Sequence, residues 1–198
     1  MSAHKGFFRQ SIYELFCGDL KSCLKVSKIK QGMPNGYEFI GGLNFTAALV
    51  IMCIIEMMAG FYKDKLQPNS DDVADFMTRY FSKYEPIFND KEFSKLFYRV
   101  YRHGLVHEWS PKASAVAMDF SSQKVLKIIK SGSEELTSVN VPTLYDLTVK
   151  ALNDYEKDLD NNLFIKEFNN RYNKQIAEDY KQMRLLREKI KKYTGQES

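Results

Sequence analysis

The sequence predicts an all-α protein, a helical bundle that carries one small β insertion. Three observations lead there. The 198 residues include only ten Gly and five Pro, so tight turns are few and elements are long. Apolar residues recur at spacings of three and four through most of the chain, the period of one helix face. That period fails between residues 113 and 141, where short β-branched runs alternate with Ser and Gly. The length suits one domain over residues 1–198 with a substantial core. Hydrophobic residues at 44% and charged residues at 27% exclude disorder over most of the chain.

The first helix is predicted over residues 7–30. Phe8, Ile12, Leu15, Phe16, Leu20, Cys23 and Leu24 share a face, with Lys21, Lys25, Lys28 and Lys30 largely opposite. Gly32-Met33-Pro34-Asn35-Gly36 ends it. Residues 43–63 are apolar nearly all round and should form the central helix. Pro68-Asn69-Ser70 is a turn. Ser70 is the expected N-cap, and Asp71, Asp72 and Asp75 suit the positive end of the helix that follows. That helix presents Val73, Phe76, Met77, Tyr80, Phe81 and Tyr84 before Glu85-Pro86 interrupts it.

The next helix starts near Asn89 or Asp90, presents Phe93, Leu96, Phe97, Val100 and Tyr101, and stops before Pro111. The aperiodic stretch 113–141 reads as two or three short antiparallel strands. Pro142 and Thr143 open a helix carrying Leu144, Leu147, Ala151, Leu152, Tyr155 and Leu159, and residues 158–162 break or kink it. The last helix ends in a basic extension, residues 173–198. Its Ile176, Tyr180, Met183, Ile190 and Tyr193 form a heptad-like stripe. That extension reads either as a solvated helix packed on the body or as a contact for a second subunit or an RNA backbone.

The net charge of +4 is unevenly divided. Residues 1–30 carry six basic and two acidic residues, residues 31–170 carry 15 and 19, and residues 171–198 carry eight and four. Three cysteines, Cys17, Cys23 and Cys53, show no metal-ligand spacing and read as reduced, mostly buried thiols of a cytoplasmic protein. No apolar run follows the basic residues near the N-terminus, so no secretory signal is expected. The apolar part of 43–63 is about half of what a membrane span needs, so a core helix is expected there.

Catalytic residue types gather in one segment, Arg99-Val100-Tyr101-Arg102-His103-Gly104-Leu105-Val106-His107-Glu108-Trp109. His103 and His107, four apart, share a helix face and could hold a metal if a third ligand such as Glu56, Glu108 or His4 joined them. Alternatively, a histidine near neutral pKa moves a proton while an arginine holds a phosphate. Arg102 and His107 are five apart, about 140° around an ideal α-helix. They meet only if the helix distorts around Gly104 or a second subunit completes the site. The plain structural reading has Arg102 paired with an acidic residue.

The segment YRHGLVHEWSPK resembles the signature of HEPN domains (higher eukaryote and prokaryote nucleotide-binding), in which Arg precedes His by a short spacer with a polar residue after the Arg. Arg102, His103 and His107 occupy those three places. The resemblance implies a helical bundle, activity as a metal-independent endoribonuclease of a toxin–antitoxin or phage-defence system, and a homodimer with facing motifs. It implies RNA or nucleotide as substrate and an antitoxin-like protein as partner, with no cofactor, no metal and no membrane. His107 would be the general acid or base, Arg102 would stabilise phosphorane-like charge, and His103 would position them. Glu56, Arg99 and Glu108 are the supporting polar residues. Some HEPN branches carry an acidic residue followed four later by a basic one. Here Gly60 follows Glu56, so that pattern is absent. Glu56 either approaches the motif or pairs with Arg99 or Arg102. The rival reading is a non-catalytic HEPN-like nucleotide- or protein-binding module, and a weaker one is a small metalloprotein using His103 and His107.

Overall fold

The computed structural model describes residues 2–27, 31–32, 38–39, 43–108, 114–131 and 133–194. It is 75% helix, with six helices and a small three-stranded sheet. Helix α1 is continuous through Ala3–Phe7, Phe8–Cys17 and Gly18–Ser27. Helices α2 (Asn44–Lys63) and α3 (Ser70–Tyr80) follow. A 3₁₀ turn, Pro86–Asn89, then leads into α4, Lys91–Tyr98 and its continuation Arg99–Glu108. Helices α5 (Val141–Asp160) and α6 (Ile165–Thr194) close the chain.

The middle of α1 (Phe8–Cys17) and the second part of α4 (Arg99–Glu108) are π-helical. There each N–H reaches the carbonyl five residues back, so the turn is wider than in an α-helix. The buried side chains follow that width. Phe8, Ile12 and Phe16 in α1, and Phe97, Tyr101 and Leu105 in α4, are buried at spacings of four. A column at that spacing drifts around an α-helix, and the wider turn holds it nearly straight against the core.

Helix α2 is the centre of the bundle. Ala47, Ala48, Ile51, Met52, Ile55, Met58 and Ala59 are fully buried among α1, α3, α4, α5 and α6. Each large side chain so buried contributes about 1.5–3 kcal/mol relative to exposure. Among the described residues α2 is the one helix long and apolar enough to cross a membrane, and its packing is that of a core helix, as expected. Aromatic rings fill the space between helices. Tyr62, Phe76, Tyr80 and Tyr155 meet with centroids 5.0–6.4 Å apart, edge to face except for the tilted Phe76–Tyr80 pair.

Two local expectations need correction. The N-cap of α3 is Asn69, not Ser70. Its side chain accepts from the Asp71 and Asp72 amides, and Asp72 accepts in return from the Asn69 amide at 2.8 Å. Asp72 at the third helical position supplies that reciprocal bond, and the capping box moves the boundary by one residue. The cysteines are all free, but Cys17 alone is buried. Cys23 is half-buried and Cys53 exposed.

The insertion after α4 forms three strands, β3 (Ser114–Ala117), β4 (Leu126–Ser131) and β5 (Glu134–Asn140). A short antiparallel pair, β1 (Gln31–Gly32) and β2 (Glu38–Phe39), precedes them in the loop expected between the first two helices. The sheet order is β3-β5-β4. β4 and β5 pair antiparallel from Leu126↔Val139 to Ser131↔Glu134. β3 runs parallel to β5, from Ser114↔Thr137 to Ala117↔Asn140, not antiparallel as expected. The tight β4–β5 hairpin places β5 in the middle, and β3 takes its free edge. Buried Asn140 closes the crossover through Nδ2 to the Asp119 carbonyl at 2.9 Å and to Thr143 Oγ1 at 2.7 Å. Asn44 Nδ2 donates to the Val116 carbonyl at 3.0 Å and ties β3 to the start of α2.

Candidate functional site

The motif segment is the π-helical part of α4, packed against α2. Tyr101 and Leu105 are buried on the core side. This placement governs Arg102 and His107. In an α-helix they diverge, but with the hydrogen bond running to the fifth residue, position 107 returns towards the face of position 102. Within one chain the wider turn therefore brings positions 102 and 107 closer around the axis than the roughly 140° of an ideal α-helix. The backbone of His103, His107 and Glu108 belongs to this run, and their side chains lie outside the described residues.

Arg102 is half-buried and donates from Nε to Glu56 Oε2 at 2.9 Å. Glu56 thus takes the pairing reading with Arg102, not Arg99, and it does so beside the motif. The Tyr98 hydroxyl, one turn before Arg102, lies within hydrogen-bonding reach of both. Burial would lower the Arg102 pKa, but the bond and the charge of Glu56 outweigh it and hold the guanidinium above its ordinary value. Burial above all, with the Glu56 carboxylate next, raises the Tyr98 phenol. Arg102 stays charged and Tyr98 stays neutral at any physiological pH. The bond to Glu56 uses Nε, and a guanidinium carries four further N–H donors.

Arg99 lies one helical step away. Its Nη2 donates to Ser70 Oγ at 3.3 Å, across a groove of about 420 Å³ lined by Glu56, Pro68, Asn69, Ser70, Tyr98, Arg99 and Arg102. The N-terminus of α3 opens onto this groove. Its first amides are already taken by the Asn69 side chain, so attraction for an anion falls to the two arginines. A second groove of about 430 Å³, on the α4–sheet side, is lined by Phe93, Leu96, Val100 and Ile128 among others. Among the described residues its lining holds no carboxylate, histidine or arginine, and its polar groups are those of Tyr101, Lys127 and Thr137.

His4 does not join the motif. It is buried, with Nε2 2.9 Å from Asp160 Oδ1 and its ring edge-on to Phe168. No group of three His, Cys, Asp or Glu residues able to hold a metal occurs among the described residues. The sequence marks Asn69 and Ser70 as a turn and a cap, and neither they nor Tyr98 as site residues. Tyr98 had a signal, its four-residue spacing from Arg102, but the loop residues reach the groove through tertiary folding alone.

In comparisons with known proteins, no family model, no curated protein and no solved structure matches this chain.

Proposed function

We propose that the protein is a metal-independent endoribonuclease of HEPN type, with Arg102 and His107 as its catalytic pair. The observation that supports this reading is the π-helical turn, which brings position 107 nearer to the face of a half-buried, charged Arg102 than an α-helix would. In the proposed reaction the RNA 2′-oxygen attacks the adjacent phosphorus and the bond to the 5′-oxygen breaks, leaving a 2′,3′-cyclic phosphate and a 5′-hydroxyl. His107 takes the 2′-hydroxyl proton or supplies one to the leaving oxygen. Arg102 stabilises the charge that develops on phosphorus-bound oxygens, and Glu56 and Tyr98 fix its orientation beforehand. Arg99 and Ser70 line the path of the neighbouring backbone. A defence or toxin–antitoxin role, with an antitoxin-like partner, accompanies this reading through the HEPN resemblance.

One observation favours the rival reading, a non-catalytic nucleotide- or protein-binding module. The Glu56 carboxylate already neutralises Arg102, as in a structural ion pair. Incubation of labelled RNA in EDTA with the wild type and with His107→Ala and Arg102→Ala variants decides between them. Cleavage by the wild type alone, with cyclic phosphate ends, is the expected result. Intact RNA with all three, with nucleotide still bound by the wild type, would establish the binding module instead.

A further inference from the structure

Helix α6 is anchored to the body near its start. Phe168 is buried, and Arg171, 5% exposed, donates from Nε to the Lys65 carbonyl at 2.7 Å. Lys174 pairs with Asp64 at 2.7 Å. Beyond that anchor every residue from 179 to 194 is exposed. A helix of that length without tertiary contacts is marginal in water, because helices in proteins owe most of their stability to a packed apolar face. Yet Tyr180, Met183, Leu186, Ile190 and Tyr193 are 75%, 48%, 51%, 49% and 92% exposed. With Leu186 included, the stripe changes from the one read in the sequence. Ile176, Met183, Leu186, Ile190 and Tyr193 now occupy a heptad seam in which Asp179 is the single polar position.

We propose that this seam is covered by the same seam of a second copy of the chain, as an antiparallel two-stranded coil. The seam is complementary to itself when two copies run antiparallel, and charge selects that direction. Residues 176–184 balance Glu178 and Asp179 against Lys181 and Arg184. Residues 185–194 carry Arg187, Lys189, Lys191 and Lys192 against Glu188 alone. A parallel pair would set the two basic ends side by side. An antiparallel pair sets each basic end along the half that holds the other copy's Glu178 and Asp179. With Met183 opposite Leu186 of the second copy, Asp179 falls opposite Ile190 and beside Lys189, and Ile176 falls opposite Tyr193. A polar residue at one seam position fixes register in this way. The two bodies then lie at opposite ends of the coil, and each Arg102 groove remains within its own chain. The proposal is independent of that groove's chemistry.

Sedimentation of the full-length chain over a range of micromolar concentrations tests it. The wild type is expected to dimerise, and Met183→Glu combined with Ile190→Glu to be monomeric, still unfolding cooperatively but at a Tm that no longer depends on concentration, since both side chains are about half exposed and lie outside the buried core. Asp179→Asn should weaken the dimer by about fivefold, the loss of two exposed charge contacts. A parallel coil would instead be tightened by that change, because the two Asp179 carboxylates would face each other. A wild type that stays monomeric, a double variant that still dimerises, or a dimer tightened by Asp179→Asn overturns the proposal. So does a monomeric wild type that retards a short labelled RNA and loses this with Lys191→Glu and Lys192→Glu, which would assign the helix to RNA.

Discussion

Gly60 lies four residues after Glu56 on α2, where the chain turns back towards the groove. A Cβ built on it would sit 2.7 Å from the Lys65 carbonyl oxygen, 3.4 Å from Arg171 Nε and 3.5 Å from Pro68 Cδ. The first contact is with backbone and is far shorter than carbon and oxygen tolerate. The Lys65 oxygen cannot simply retreat. It accepts from Arg171 Nε at 2.7 Å, and the Lys65 amide donates to the Gly60 carbonyl at 2.9 Å. Gly60→Ala gains about 1 kcal/mol of intrinsic helix propensity. Against that stand overpacking, about 1–3 kcal/mol, and a weakened hydrogen bond to a buried guanidinium, about 1.5–3 kcal/mol when lost. The net is a destabilisation of about 2 kcal/mol, or about 6 °C in Tm for a domain of this size. Urea titration and thermal unfolding followed by circular dichroism measure it. Arg171→Ala in the same background should cost less than it does in the wild type, because the shared carbonyl has already moved. A Gly60→Ala protein as stable as the wild type would refute the reasoning and show that the 64–69 loop yields freely.

Asn69→Ala removes both side-chain bonds of the α3 capping box and should cost about 1 kcal/mol of unfolding free energy. The Tyr155 hydroxyl is buried without a partner among the described residues. Tyr155→Phe should therefore leave stability unchanged or raise it by about 1 kcal/mol, and a clear loss in a urea titration would reveal an unrecognised bond. Acid should weaken the fold in a defined direction. Burial would raise the Asp75 carboxyl, but bonds from Lys63 and Lys91 outweigh it and hold it below its ordinary 3.8; Lys5 and then His4 lower Asp160. Carboxyls lowered in the folded state stabilise it fully above the unfolded value, and that contribution disappears as pH falls through the lowered one. Stability should be level above about pH 5 and fall progressively below about pH 4. A fold that gains stability over that range would contradict these pairings.

The helices were legible because each buries one face, and spacings of three and four report a face directly. The partner of a strand is another matter. β3 joins β5 across an intervening strand, and nothing local in Ser114-Ala115-Val116-Ala117 states whether that neighbour runs parallel. Helix class was half legible. The buried columns Phe8-Ile12-Phe16 and Phe97-Tyr101-Leu105 repeat strictly every four residues, which is the imprint of a wide turn, but such a column also passes for an ordinary helix face. In the candidate site, Arg102 and Glu56 were both visible as residue types. Their 2.9 Å contact was not, because it joins elements 46 residues apart. The groove's other wall, Pro68 to Ser70, was read as a turn and a cap, and its approach to Arg99 depends on how α3 packs beside α4.

The wide turn of α4 also governs how the motif tolerates changes in length. One residue removed between Arg102 and His107 would let the segment tighten to an α-helix, and at a spacing of four the two positions would share a face. One residue added would carry His107 away from Arg102 in either type of helix. The separation of the pair and the pitch of the helix are thus a single variable, and drift in this stretch of sequence is buffered against loss of a residue but exposed to gain of one.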